Sequence, residues 1–476
     1  MSCEGKSNRR FWTRRELLAA AGGGIPGLAL ANLLAGEGRA ASAGVNPLEA
    51  KLPHFPAKAK SVISIFCYGG VSQVDTFDPK PLLKQRAGET IPGKSIVPSQ
   101  GTPGGLMPTL WEFKKHGQSG MDVSSLFPHV AQKVDEIAFI RSMHCLSNDH
   151  GPALYQMNTG FIQAGYPSMG SWITYGLGTE NQNLPAFVVF TDPRGGPIGG
   201  APNWGNGYMP AAFQGTPFRP TGNPIVDLRP PKDMTPERQR RWLDFVGRMN
   251  QEHHERNPFD TELSARIQSY ELAFRMQTSA TEAVEIDGES AATKKLYGLD
   301  EPRTEYFGRQ ALMARRLVER GVRFVQLFSG GGNFGDSWDA HWDLKENHEQ
   351  HCGETDKPIA GLLTDLKSRG LLDSTLIIWH GEFGRLPISQ RLNGRDHNPN
   401  GFTVWLAGGG VKGGTTVGAT DEFGYEAVED RKKVNDLHAT VLHLLGFDHT
   451  RLTYPHNGRN MRLTDVEGEV IKSILA

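Results

Sequence analysis

Between residues 307 and 445 the sequence alternates strand-length apolar runs with amphipathic helical patterns, and that alternation leaves few folds open. Residues 307–320 place Phe307, Ala311, Ala314, Leu317 and Val318 on one helical face, with Gly321 as the stop. Residues 322–328 then read as a buried strand. A second helix is expected over 356–369, with Pro358 in its first turn and Gly370 at its end. Strands follow at 374–379 and 402–407, and a helix at 436–445 ends on Gly446. Strands separated by helices imply a largely parallel sheet with right-handed crossovers. In such sheets ligands sit in the loops at the carboxyl ends of the strands.

The same sheet should extend upstream. Residues 61–68 (Ser-Val-Ile-Ser-Ile-Phe-Cys-Tyr) form the first apolar, β-branched run, and 138–141 and 186–191 read as two more strands. Residues 81–125, rich in Gly, Pro and Ser, predict a long surface excursion, and 195–220 has few periodic apolar positions. From about 235 to 299 the chain is charged, helical in pattern and nearly free of glycine, which predicts a helical hairpin inserted beside the sheet.

Acids and histidines collect where the strands should end. Asp75 follows the first strand and His150 the second; Asp339 and His341 follow 322–328; Glu382, then Asp396 and His397, follow 374–379. Asp339 and His341, two apart in an extended segment, share a side. A mixed carboxylate and imidazole set suits zinc, manganese or iron, and its oxygen-rich part would also hold magnesium or calcium. Individually these residues have plainer readings: Asp75 as a turn cap, His150 as a loop hydrogen-bonder. His348, His351, His443, His449 and His456 read as surface or packing histidines.

The N-terminus carries an address. Thr13-Arg14-Arg15-Glu16-Leu17-Leu18 has the twin-arginine pattern. Residues 17–34 are apolar but interrupted by Gly22, Gly23, Gly24 and Pro26, so they read as a signal region and not as a spanning helix of about 20 apolar residues. Ala41-Ser42-Ala43 supplies the cleavage pattern. The expected organisation is a signal peptide over 1–43 and a single domain over 44–476, working in the periplasm or outside the cell after passing the twin-arginine export machinery. A formal net charge of −1 without a basic stripe excludes nucleic acid as a partner, and no later apolar run would span a bilayer. Cys67, Cys145 and Cys352 remain after cleavage, an odd number that rules out a fully paired disulfide framework.

Three blocks carry a resemblance to a known family: the run from Gly69 to Lys80 (Gly-Gly-Val-Ser-Gln-Val-Asp-Thr-Phe-Asp-Pro-Lys), Trp338-Asp339-Ala340-His341, and Gly381-Glu382-Phe383-Gly384-Arg385. Together they resemble the signature blocks of the exported bacterial domain-of-unknown-function 1501 family, over essentially the whole mature chain. That family is placed with the alkaline phosphatases and sulfatases. The resemblance implies an alkaline phosphatase-like α/β fold, a mixed, largely parallel sheet flanked by helices, and a site hydrolysing phosphate or sulfate esters with a divalent metal. It implies metal ligands among Asp75, Asp339, His341, Glu382, His397 and Asp396. Arg385 would pair with the anionic substrate or hold a carboxylate. Residues 373–382 resemble the sulfatase strand that ends in a metal-binding Asp-His pair, with Glu382 in the Asp position and Phe383 in place of His.

The nucleophile is where the chain departs from that pattern. Sulfatases carry a Cys-x-Pro-x-Arg motif and alkaline phosphatases a Ser or Thr, whereas this chain offers His150; Cys145 lacks the Pro and Arg. His150 is then a ligand, a nucleophile or a proton shuttle, or a metal-activated water attacks directly. The sequence therefore supports a metal-dependent hydrolase of an anionic ester, in a polysaccharide or lipid. The alternative is a non-catalytic envelope protein that keeps the fold and a structural metal. The aromatic residues of 204–218 suggest a third, carbohydrate-directed role.

Overall fold

The computed structural model describes residues 46–476 except 95, 97, 100–101, 220–233, 257–270, 273, 278–281, 333–334 and 392. The expected signal peptide lies outside the described residues, as does much of the inserted helical segment.

Apolar runs with no polar alternation are the mark of strands covered on both faces. Four such runs, β1 (Ser61–Cys67), β5 (Phe324–Ser329), β6 (Thr375–His380) and β7 (Phe402–Ala407), are buried at every position. With β2 (Ile137–His144), β3 (Phe187–Phe190), β4 (Thr216–Phe218), β8 (Thr415–Val417) and β9 (Lys432–Lys433) they build one sheet, in the order β8-β2-β7-β6-β1-β5-β3-β4, with β9 also on β2. All pairings are parallel except those of β7, which runs against both β2 and β6. The architecture is thus mixed α/β around a largely parallel sheet.

Alternate residues of β1 face opposite layers. Ile63, Ile65 and Cys67 join a core beneath α4 (Glu305–Glu319) and α5 (Leu344–Ser368). Val62 and Phe66 join a core beneath α1 (His150–Thr159), α2 (Met169–Leu177) and α6 (Val434–Leu444). Each fully buried Leu, Ile or Phe contributes roughly 1.5–3 kcal/mol, so the two layers fix the sheet edge that carries the loops.

Three expectations need correction. Helix α5 begins at Leu344, not near 356, so Pro358 lies inside it. The early turns escaped notice because they bury polar side chains, Asn347, His348, His351 and Thr355, in place of an apolar stripe. Strand β4 was missed within 195–220 because it is three residues long, contains Pro217 and, among the described residues, pairs only with β3, as an edge strand may. The 81–125 excursion holds more structure than expected: Pro103–Leu106 pairs with Ile388–Gln390, and Phe113–His116 with Met121–Ser124. Within the helical insertion, Pro236–Arg256 is a helix as anticipated.

An ion-pair set ties α5 to the loops at the sheet edge. Arg194 binds Asp192 through Nε and Nη2, both at 2.7 Å, and reaches Glu354 of α5 at 2.8 Å; Asp192 in turn accepts from the Gly330 amide. Burial opposes the Glu354 carboxylate, but His351 and Arg194 outweigh it and pull its pKa down from 4.5 to about 2. A depressed acid stabilises the fold above its unfolded pKa and loses that contribution as pH falls through the folded one. Glu354→Gln should therefore lower stability at pH 7 by about 1–3 kcal/mol. The gap to wild type should close between pH 4.5 and about 2 in denaturant titrations; a gap constant with pH would refute the account.

Candidate metal and catalytic site

Five chain segments converge at one sheet edge. Strand β1 leads into Gly69 and Gly70, β2 into His150, β5 into Asp339 and His341, and β6 into Glu382. Because β7 is antiparallel, the segment entering it, with His397, lies at that same edge. His150 is the first residue of α1, whose N-cap Asp149 accepts from the Gly151 amide. Gly69 has φ +120°, and a Cβ there would stand 2.4 Å from the Asp339 amide nitrogen. Only glycine lets the β1 loop and the Asp339 loop approach so closely.

His150, Asp339, His341 and His397 present ligand atoms within 4.8 Å of one another. Asp339 is the hub. Its Oδ1 lies 3.0 Å from His341 Nε2 and 3.1 Å from His397 Nε2, and its Oδ2 lies 3.3 Å from His150 Nε2. The outer nitrogens are already engaged: His150 Nδ1 with Glu382 Oε1 at 2.6 Å, His341 Nδ1 with Gln390 Oε1 at 2.5 Å, and His397 Nδ1 with the Asn148 carbonyl at 2.6 Å. An Nδ1 that meets an oxygen turns the opposite ring nitrogen, Nε2, towards Asp339. All three imidazoles therefore aim Nε2 at one carboxylate, a group that could hold a metal ion. His150 alone keeps appreciable exposure, 12% of its side chain.

Charge reinforces the geometry. Burial alone would raise the Asp339 pKa, but Arg385 and hydrogen bonds from the three histidines hold it far below the carboxylate range. Burial favours neutral His150, yet hydrogen bonds to Asp339 and Glu382 outweigh it and raise its pKa to about 9. His397 goes the other way, to about 4, with burial the main cause.

The remaining expected residues surround this group. Glu382 accepts from the Gly69 amide at 3.0 Å as well as contacting His150, so it is one step out from the hub. Asp396 lies 3.7 Å from His341 Nδ1 and accepts from the Ser99 and His397 amides. Asp75 is not among the four; Arg395 Nε binds it at 2.7 Å and Ser72 Oγ at 2.6 Å. Arg385 is fully buried. It donates to Asp339 at 2.6 Å, to the Gly70 and Arg395 carbonyls at 2.9 Å each, and to the Gly69 carbonyl. These contacts hold a carboxylate. Sequence reasoning missed Arg395, whose only signal was its place before Asp396-His397, and Gln390, Ser99 and Asn148, which gave none.

The family model described as "Protein of unknown function (DUF1501)" matches residues 59–475. The chain belongs to the DUF1501 family. Among curated protein sequences none matches this member. Solved structures similar to it include PsFucS1 sulfatase from Pseudoalteromonas sp. (14% identity, covering 87% of this chain and 72% of that one, TM-score 0.38). The lipoteichoic acid synthase LtaP from Listeria monocytogenes is similar at 10% identity, 84% and 77% coverage and TM-score 0.35. Alkaline phosphatase from the Antarctic bacterium TAB5 follows at 11%, 74% and 92%, and 0.31. No helix among the described residues of this family member is long and apolar enough to cross a membrane.

Proposed function

We propose that the protein is an exported, metal-dependent hydrolase of phosphate or sulfate esters, a single domain over 44–476 released from its 1–43 signal peptide by way of twin-arginine export. The observation that carries the reading is the convergence of three Nε2 atoms on Asp339, each ring fixed from behind by an oxygen acceptor. The donor set fits a divalent ion of the zinc or manganese type. Asp339, His341 and His397 would hold it.

Such an ion polarises an ester oxygen and lowers the pKa of water. The protein groups supply the rest. Arg385 keeps Asp339 ionised and in place. Glu382 anchors His150 Nδ1, so that Nε2, at the most exposed point of the group, holds or passes a proton beside Asp339. Tyr68 and Phe383 pack on the His150 ring, with centroids 5.7 and 4.9 Å away, and limit its swing and the entry of water. The substrate would be an anionic ester carried by a polysaccharide or lipid.

One observation favours a second reading, a non-catalytic envelope protein with a structural metal: His341 and His397 are 0% and 6% exposed, and closed sites are typical of structural ions. Metal content of protein made through its export route, followed by turnover of aryl phosphate and aryl sulfate esters, separates the two. On the catalytic reading His341→Ala loses metal and turnover together. Glu382→Gln weakens the hold on His150 Nδ1 and lowers turnover about 10²-fold with the metal retained. Stoichiometric metal with no turnover on either ester would leave only the structural reading, and protein that binds no metal would end both.

A further inference from the structure

Apart from Leu344 and Cys352, the early turns of α5 bury Asn347, His348, His351 and Thr355. Stability alone gives little reason for such a face, because a buried polar pair exchanged for apolar groups of the same shape is nearly neutral. What polar contacts add is direction, since a hydrogen bond fixes where its two ends sit. The partners of this face lie on the two loops that meet at Asp339.

The Ser72 amide donates to His348 Nε2 at 3.1 Å. A backbone N–H can only donate, so Nε2 is the bare nitrogen of a neutral ring and Nδ1 carries the proton. Burial favours the same state, lowering the His348 pKa to about 3. Nδ1 meets Asn347 Oδ1 at 3.2 Å, and Asn347 Nδ2 donates to the Ser337 carbonyl at 2.7 Å. That carbonyl fixes which end of the Asn347 amide is which, so every link runs one way: Ser72 to His348, His348 to Asn347, Asn347 to Ser337. Ser337 Oγ in turn accepts from the Asp339 amide at 3.4 Å. The rings add a hold on the residue before Asp339. Against the Trp338 indole, His351 lies nearly parallel at 5.2 Å and His348 edge-on at 5.7 Å. All three residues are 0% exposed.

We infer that Asn347 and His348 are positioning residues for the site: through the chain Ser72–His348–Asn347–Ser337 they set the spacing between the Gly69–Ser72 segment and the loop that carries Asp339 and His341. This rests on the reading of His150, Asp339, His341 and His397 as a metal group, to which neither residue belongs. Their influence passes through backbone. One end of the chain steadies Asp339, and the other steadies the segment in which the Gly69 amide holds Glu382 at 3.0 Å. The polar face of α5 is then a brace for the site, built where an apolar stripe would have covered the core without fixing either loop.

The test is zinc affinity, measured by competition with a chromophoric chelator on folded protein well below its thermal midpoint. His348→Leu, which breaks two links, should bind zinc about 10-fold more weakly than wild type. Asn347→Ala breaks the last link and should lose a similar factor. The double variant should be no worse than the weaker single one, because both changes cut one chain. Thr355→Val is the control for stability: its hydroxyl bonds to the His351 and Cys352 carbonyls of its own helix, so zinc affinity should not change. Wild-type affinity in folded His348→Leu, a loss in Thr355→Val as large as that in His348→Leu, or additive losses in the double variant would overturn the inference and leave the metal site standing. A wild type that binds no zinc would remove the metal site and the inference with it. Should His348→Leu not fold, Asn347→Ala against Thr355→Val decides.

Discussion

Asp339→Ala should empty the site of metal and weaken the whole fold in one step. Asp339 accepts from Arg385 and faces three imidazoles, so its removal takes away the central candidate ligand and strands a fully buried guanidinium. Breaking one side of a buried pair costs about 3–5 kcal/mol. Denaturant titration reads that loss, and elemental analysis reads the metal. Asp339→Asn separates the two effects. Its amide oxygen still accepts from Arg385, so stability should fall less, while the loss of charge should still weaken metal binding. Asp339→Ala protein that keeps both its metal and its stability would remove Asp339 from the centre of the site.

The second large effect should come from a methyl group. Alanine at Gly69 would put Cβ 2.4 Å from the Asp339 nitrogen, 2.6 Å from the Trp338 nitrogen and 2.8 Å from the Trp338 carbonyl carbon, all backbone atoms that cannot rotate away. The φ of +120° adds strain of its own. Gly69→Ala should cost more than about 3 kcal/mol and displace the Asp339 loop. Gly120→Ala is the control: φ is +67° with nothing within 4 Å of the added Cβ, so about 1–2 kcal/mol of backbone strain is all it should lose. Comparable losses at the two positions would mean that the close approach at Gly69 is unimportant.

The sheet was legible because β1, β5, β6 and β7 announce themselves as unbroken apolar runs, and because the Gly321, Gly370 and Gly446 stops frame the helices between them. The direction of β7 was not legible. An apolar run reads alike in either sense, and the loop before it gives no sign of doubling back. The convergence of His150, Asp339, His341 and His397 followed from placing each at a strand end. The division of labour among the acids did not follow, because it depends on partners remote in sequence: Arg395 for Asp75, across 320 positions, and Ser99 for Asp396, across 297. The early turns of α5 stayed hidden for a related reason. Apart from Leu344 and Cys352 their buried face is made of Asn347, His348, His351 and Thr355, polar side chains that give no clear hydrophobic period.

The reversed strand has a consequence for how such a site can change over time. Strands β6 and β7 are antiparallel neighbours, and the short ladder of Gly384–Arg385 with His397–Asn398 continues their pairing past the sheet. Residues 381–401 are therefore one wide hairpin whose two stems are clamped by hydrogen bonds, with Ile388–Gln390 beyond them paired to Pro103–Leu106. The stems carry Glu382, Arg385, Arg395, Asp396 and His397, and the tip supplies Gln390. A lengthening or shortening near the tip would re-aim His341 through Gln390 and leave the stem residues in register. The loop thus behaves as a cartridge: candidate ligand and counter-charge travel together in a single stretch of chain, and a neighbour of the proposed site can be exchanged without rebuilding the sheet that holds it.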